Sequence, residues 1–368
     1  MTIRLGIVGG GQLGRMLALA ALPLDVRCLT LDPGDDTPAA QVAPSIVGAY
    51  DDHEAIARLA TQVDVLTYEF ENVPVEAARF AEERVHVFPP PAALEASQDR
   101  IAEKALFAKV GLPAPRHAAV DSIASLDQAL ATVGVPAVLK TRRLGYDGKG
   151  QAVIHDALRA EDAWRSIGEM PAILEGFVGF DRELSIVAAR GRDGAFASYP
   201  LVENHHREGI LRLTRAPAPG VTPELQAKAE SHAHRVMDEL AYVGVLAIEL
   251  FQVGEELLGN EMAPRVHNTG HWTIEGAETS QFEQHVRAVC GLPLGPTSLR
   301  GVSAMVNLIG EVPPTDAVTA IPGAHLHLYG KSPRPGRKLG HVTVRADDAE
   351  PLERSLSRVR ALVERASP

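Results

Sequence analysis

The chain has 368 residues, 45% of them apolar and 23% charged, which fits two or three domains with large cores and excludes disorder, collagen-like sequence and coiled coil. Lys and Arg number 36 against 47 Asp and Glu, and the formal charge of −11 makes the chain a poor general binder of nucleic acid or anionic membrane. No stretch approaches the roughly 20 apolar residues of a membrane span, the start MTIRLGIVGG lacks a signal peptide's apolar region, and Cys28 and Cys290 cannot build a disulfide framework, so a cytoplasmic protein is expected.

Strand and helix patterns alternate over the first 95 residues. Ile3–Val8 reads as a buried strand, Gln12–Leu22 as a helix and Val26–Asp32 as a second strand. His53–Thr61 reads as a helix, and Val63–Glu69 and Arg84–Phe88 as strands. Such alternation predicts a parallel, doubly wound sheet. Pro89–Ala93 marks a boundary. Next come a helix over Gln98–Val110, a strand over Val135–Lys140, strands over Gln151–His155 and Ala172–Val178, and a helix over Arg159–Ile167. A run of β segments spans Glu183–Arg215 and a long helix Glu224–Leu240. Val243–Val253 and Glu256–Val266 read as a hairpin, followed by a helix over Ser280–Cys290. Short strands and a final helix near Leu352–Ala366 close the chain.

Two basic loops stand out against the acidic whole. Lys331–Lys338 (KSPRPGRK) holds four cations and no acid, and Lys140–Lys149 (KTRRLGYDGK) four cations and one acid. Both suit small anions such as phosphates; solvated loops are the plainer reading. Gly9, Gly11 and Gly14 form a GxGxxG between a strand and a helix, a turn that lets backbone N–H groups approach a phosphate. Asp32 ends the next strand, where a dinucleotide site places its ribose acid, so a nicotinamide-dependent oxidoreductase is one candidate class. The loop after Lys140 carries Gly145, Gly148 and Gly150, and a mobile lid over a nucleotide fits it better than a plain hairpin.

Glu249 and Glu261 lie on the two arms of the hairpin around Gly254–Glu256, and a regular register sets them face to face. Opposed carboxylates call for a cation, and two carboxylates plus substrate phosphates suit Mg²⁺, with Asn260 adding a neutral oxygen. Ala263–Trp272 then packs Arg265, His267, Asn268 and His271 at spacings that match no zinc pattern, so contacts to an anionic substrate are expected. His205, His206 and His285 read as surface or satisfied histidines.

Together these blocks resemble the N5-carboxyaminoimidazole ribonucleotide synthetases, ATP-grasp enzymes of de novo purine synthesis. The resemblance rests on GGGQLGRM (Gly9–Met16), YEFENVP (Tyr68–Pro74), RRLGYDGKGQ (Arg142–Gln151), ENHHREGI (Glu203–Ile210), NEMAPRVHNTGHW (Asn260–Trp272) and RPGRKLGH (Arg334–His341), and spans nearly the whole chain. It implies a mixed α/β and α+β multidomain fold. A Rossmann-like N-terminal domain (1–95) precedes an ATP-grasp region (96–290) with a lid subdomain at about 115–178, and a C-terminal β-rich segment (291–368) completes the substrate site. It also implies a homodimer that joins bicarbonate to the exocyclic amine of 5-aminoimidazole ribonucleotide, cleaving ATP to ADP and phosphate through carboxyphosphate.

Carried over by motif, Arg100 and Lys140 contact ATP phosphates, and Gly145, Tyr146, Asp147, Gly148, Lys149, Gly150 and Gln151 close over them. Glu175, Gly176, Phe177 and Val178 form the adenine hinge, Glu183 holds the ribose, and His206 becomes a nucleotide contact against its surface reading. Glu249, Glu261 and Asn260 hold Mg²⁺. Gln12, Leu13, Tyr146, Asp147, Lys149, Arg265, His267, Asn268, Lys331, Arg337 and Lys338 surround the ribonucleotide and the bicarbonate-derived group. Asp147, Lys149, Arg265 and His267 are the catalytic candidates, with the base left open between Asp147 and His267. Another ATP-grasp ligase acting through an acyl phosphate, or a non-catalytic nucleotide sensor, are the remaining alternatives.

Overall fold

The structure is a computed structural model that describes residues 2–145 and 148–366. Tyr146 and Asp147, both singled out above, lie outside the described residues. Among the described residues three sheets carry the fold.

The first sheet is parallel, in the order Ser45–Val47, Arg27–Asp32, Arg4–Val8, Val65–Tyr68, His86–Val87. Its central strand buries Leu5, Ile7 and Val8, because helices cover both faces of such a sheet. The second sheet is antiparallel, in the order His117–Val120, Ala172–Gly176, Ala137–Thr141, Gln151–Ile154. The helices Ile123–Val133 and Ala160–Ser166 pack on it around Leu126, Leu139 and Trp164.

The third sheet has nine antiparallel strands. The main path runs Glu256–Ala263, Gly244–Val253, Arg182–Arg190, Val202–Arg207, Ile210–Ala216, Val302–Ile309, Lys338–Ala346, Ala324–Leu328. Phe196–Ser198 pairs with Arg182–Arg190 off this path. The strands after residue 300 thus extend the same sheet. Helix Pro223–Glu239 covers one face through Leu184, Ile186 and Ile248, and helix Ala349–Ala366 covers the later strands through Leu352, Leu356 and Val359. On the opposite face helix Gln281–Cys290 packs against helix Gln12–Ala21, which brings the glycine turn to the large sheet.

Several elements differ from the sequence expectation. Helices Val75–Glu82 and Ile123–Val133 and strands Ser45–Val47 and His117–Val120 were not anticipated. The helix Val75–Glu82 buries Ala77, Ala78 and Ala81 and packs the half-buried Val75 and Phe80 against the same core. Pro89–Ala93 is more than a break. Pro91 is the first residue of a helix, Pro91–Gln98, where its missing N–H has no intrahelical partner to lose.

The hairpin contains two departures that cancel. Val253 pairs with Glu256, so the turn has two residues, Gly254 and Glu255, and not the three expected. From that turn a regular ladder would set Asn260 against Glu249 and put Glu261 on the other face. A bulge intervenes: Leu250 pairs with Gly259 but Glu249 pairs with Glu261, and Asn260 is the extra residue. The expected pairing holds because the strand is irregular there.

Candidate active site

Two adjoining cavities of about 410 and 320 Å³ share a wall made by Arg100, Glu249, Glu261, His267, Asn268 and Lys338. The larger one is also lined by Gln12, Leu13, Gly145 and Arg265, and the smaller by Lys140, Gly148, Lys149, Gln151, Glu175, Gly176, Phe177, Val178, Glu183, His206 and Asn260. Residues far apart in sequence therefore sort into two groups on either side of the carboxylate pair. Gly150, Lys331 and Arg337 line neither cavity. Lys331 Nζ donates to Gln12 Oε1, which ties the basic tail to the larger cavity, whereas Arg337 Nη1 donates to Ser332 within its own loop.

The carboxylate pair sits beside an arginine and a histidine. Arg100 Nη1 lies 3.2 Å from Glu261 Oε2, and His267 Nε2 lies 3.7 Å from Glu249 Oε1. Burial, and then the charge of Glu261, push the Glu249 carboxyl up to about 7. Burial acts on Glu261 too, but Arg100 and Lys140 outweigh it and hold its carboxyl below the usual range. Close by, the buried Asn260 Oδ1 has no hydrogen-bond partner. Opposed carboxylates and an orphaned amide oxygen are the donor set of a small hard cation. No cluster of three or more His, Cys, Asp or Glu suited to a metal occurs among the described residues.

The basic loop around Lys140 is less free than its charge count implied. Arg142 donates twice to Asp99, at 2.7 and 3.1 Å, and Arg143 lies 3.5 Å from the same carboxylate. Lys140 Nζ is 2.6 Å from Glu175 Oε2. Burial alone would raise Glu175, but Lys140 and Lys104 bring it down to about 2. The glycine loop also meets the large sheet. A Cβ on Gly148, whose φ is +75°, would come within 2.7 Å of the Glu208 carbonyl in the turn between two strands.

Arg265 donates through Nε to Glu71 and through Nη1 to the Val266 carbonyl. Burial would raise Glu71, but Arg265 pulls its carboxyl down to about 2. Burial and the charge of Arg265 drive His267 well below its usual value, so it is neutral. Its Nδ1 accepts the Thr269 N–H at 3.4 Å, leaving the proton on Nε2, toward Glu249. The Gln281 amide bonds both backbone groups of His267, and Asn268 and Asn307 exchange amide hydrogen bonds at 2.6 and 3.0 Å. His206 Nδ1 lies 2.7 Å from Glu183 Oε2; burial lowers it, but Glu183 and Glu249 give a net rise. His285 is a satisfied core histidine between Thr67 Oγ1 and the Val245 N–H, and His205 pairs with Glu203 at 3.0 Å. Glu69, Glu71, Glu103, Lys104, Gln281 and Asn307 were missed by sequence reasoning, although the first two lie inside the quoted YEFENVP block.

The glycine turn decides against a dinucleotide. The Glu69 carboxylate accepts the N–H groups of Gly11 and Gly14, both at 2.5 Å, at the N-terminus of helix Gln12–Ala21. An anion from the chain itself fills the place of a pyrophosphate. Asp32 is likewise engaged, accepting from the Gly10 and Gly34 N–H groups and the Tyr50 hydroxyl.

Comparison with known proteins identifies the family. Family models match as a ribonucleotide synthetase preATP-grasp domain over residues 1–98, an ATP-grasp domain over 105–282 and a phosphoribosylaminoimidazole carboxylase C-terminal domain over 303–355. An N5-carboxyaminoimidazole ribonucleotide synthase of Pseudomonas aeruginosa is 51% identical over 98% of this chain and 100% of its own length. The chain belongs to the N5-carboxyaminoimidazole ribonucleotide synthase family. The synthetase of this family from Thermus thermophilus superposes with a TM-score of 0.94 at 56% identity, covering 99% of both chains. The family's synthase from Aspergillus clavatus, solved with ADP and 5-aminoimidazole ribonucleotide, gives a TM-score of 0.92 at 31% identity over 99% of both chains.

Proposed function

We propose that the chain is an ATP-dependent carbon–nitrogen ligase of purine biosynthesis that carboxylates the exocyclic amine of 5-aminoimidazole ribonucleotide with bicarbonate. The products are N5-carboxyaminoimidazole ribonucleotide, ADP and phosphate. One observation carries the reading: a half-buried carboxylate pair, Glu249 and Glu261, stands on the wall shared by two cavities. The smaller cavity takes ATP. Arg100 and Lys140 face its phosphates, and Lys149 and the glycines Gly145, Gly148 and Gly150, with Gln151, close over them. The Gly176 and Phe177 N–H groups donate to the Arg116 and Pro136 carbonyls, so the hinge meets adenine through its other backbone groups. Glu183, backed by His206, takes the ribose hydroxyls.

The larger cavity takes the ribonucleotide, between Gln12 and Leu13 on one side and Arg265, His267, Asn268 and Lys338 on the other, with Lys331 and Arg337 at the phosphate. Glu249, Glu261 and Asn260 hold Mg²⁺, which supplies charge neutralisation for phosphoryl transfer. The guanidinium of Arg265, fixed by Glu71, offers its remaining N–H groups to bicarbonate and then to the carboxyl of carboxyphosphate. The amine must lose a proton as the C–N bond forms. The Nδ1 lone pair of neutral His267 accepts the Thr269 N–H, which favours Asp147 of the two candidates as the base. Closure of that loop keeps water from the carboxyphosphate. The working divisions are 1–95, 96–290 with its lid, and 291–368. The enzyme acts as a cytoplasmic homodimer.

Phosphate release from ATP tests the reading. It is expected only when ribonucleotide and bicarbonate are both present. Release that is indifferent to bicarbonate depletion would instead point to a ligase for a carboxylic acid.

A further inference from the structure

The bulge that aligns Glu249 with Glu261 creates a problem that neighbouring strands do not solve. The bulge lies in Glu256–Ala263, the edge strand of the large sheet, so backbone groups on its outer side have no neighbouring strand to meet, and leaving buried ones unmet is costly. Two consecutive residues of helix Arg100–Lys109 meet them. Glu103 Oε1 accepts the Met262 N–H at 2.6 Å, and Lys104 Nζ donates to the Asn260 carbonyl. The two bonds fall on the residues immediately before and after Glu261. Glu103 is 2% and Lys104 1% exposed; Glu103 stands in the wall of the larger cavity with its carboxylate already engaged by Lys104 and the Met262 N–H, and Lys104 lines neither cavity. Lys104 Nζ also lies 3.3 Å from Glu103 Oε2 and 3.4 Å from Glu175 Oε1, which fixes the ammonium between two carboxylates. The same helix begins with Arg100, which contacts Glu261 itself. One rigid element therefore grips Glu261 from its side chain and from both flanking peptide groups.

We propose that Glu103 and Lys104 are positioning residues that hold the Asn260 bulge and so keep Glu261 opposite Glu249 in a cation-binding geometry. The inference rests on the reading of Glu249 and Glu261 as Mg²⁺ ligands. Its physical basis is register: without the bulge the strand slips by one residue and Glu261 turns to the other face. The bracket thus acts on metal affinity, and on the metal-free nucleotide only weakly.

The test is calorimetric binding of ADP, with and without Mn²⁺, to the full chain and its variants. Lys104→Met removes the donor to Asn260 but leaves Glu103 and Glu175 short of a buried cation, which endangers folding. The double variant Lys104→Met/Glu103→Gln lowers that charge imbalance and keeps an acceptor for the Met262 N–H. In a folded double variant, the gain in ADP affinity that Mn²⁺ confers is expected to fall at least about tenfold, with metal-free ADP binding within about twofold of the parent. An intact Mn²⁺ gain overturns the proposal. So does an equal loss with and without metal, because Lys104 would then act through Glu175 and Lys140. Glu261→Gln separates the two levels. If it keeps the Mn²⁺ gain, the metal reading falls and takes the bracket's role with it. If it loses the gain while the double variant keeps it, only the bracket falls.

Discussion

Glu249 stands opposite Glu261 because Asn260 is squeezed out of the ladder between them and Gly259. Two carboxylates facing each other across one ladder repel, and the cost appears as the Glu249 carboxyl raised to about 7 by burial and by Glu261. Proteins tolerate such a pair where a cation relieves it. The adjacent Asn260 oxygen, buried without a partner, points to the same end.

Glu261→Gln keeps shape and hydrogen bonding but removes one charge from the pair. Turnover is expected to fall by about a hundredfold or more at ordinary Mg²⁺. The melting temperature should hold, because relief of the repulsion from Glu249 offsets the lost ion pair with Arg100. Near-parental kcat would remove Glu261 from the metal site.

At Gly9 backbone and packing both forbid a side chain. Its φ is +110°, and a Cβ would lie 2.3 Å from Glu69 Cγ. Gly9→Ala is expected to lower stability by roughly 2–4 kcal/mol, the sum of a disfavoured dihedral and overpacking, read by urea unfolding. The parent should also show no binding of NADH by fluorescence titration, since Glu69 fills the helix N-terminus. Measurable binding would reopen the dinucleotide reading.

The two tail cations make different contacts and should give different phenotypes. Arg337 bonds its own loop, and Arg337→Ala is expected to raise KM for the ribonucleotide with kcat nearly unchanged, as for a contact equal in ground and transition states. Lys331 bonds Gln12, the first residue of the helix after the glycine turn, so Lys331→Met should also disturb that turn. Steady-state kinetics with each substrate varied checks both. A rise in KM for ATP with Arg337→Ala would mean that the tail serves the other cavity.

Acid should destabilise the fold well above the carboxylate range. Burial lowers His285 to about 3, and burial with Arg235 lowers His232 to about 4. Below about pH 6.5 the unfolded chain takes up protons that these folded histidines refuse, so stability is full above that pH and falls as pH drops toward 4. His285→Gln, which can still bond Thr67 and Val245, should reduce the slope by about 1.4 kcal/mol per pH unit between pH 6 and 5. Urea midpoints across that range measure it. An unchanged slope would mean that His285 is protonated in the fold.

Much of this protein was legible in its residues. Alternating apolar runs announced the parallel sheet, because a strand buried on both faces leaves a continuous apolar signature such as Leu5 to Val8. The motif blocks carried the family, and most of their site residues line the two cavities. The helix Val75–Glu82 was passed over although Ala77, Ala78 and Ala81 share one face with Val75 and Phe80 packed beside them. The sequence alone also named Glu249 and Glu261 as partners, though from a turn one residue too long. Tertiary structure decided the rest: which carboxylate fills the glycine turn, which cations are already paired, and where the ladder breaks. Those outcomes depend on Glu69, Asp99, Glu103 and Lys104 arriving from distant segments. Charge and hydrogen-bond pairing are settled by proximity in space, and local pattern carries no record of which distant group will be near.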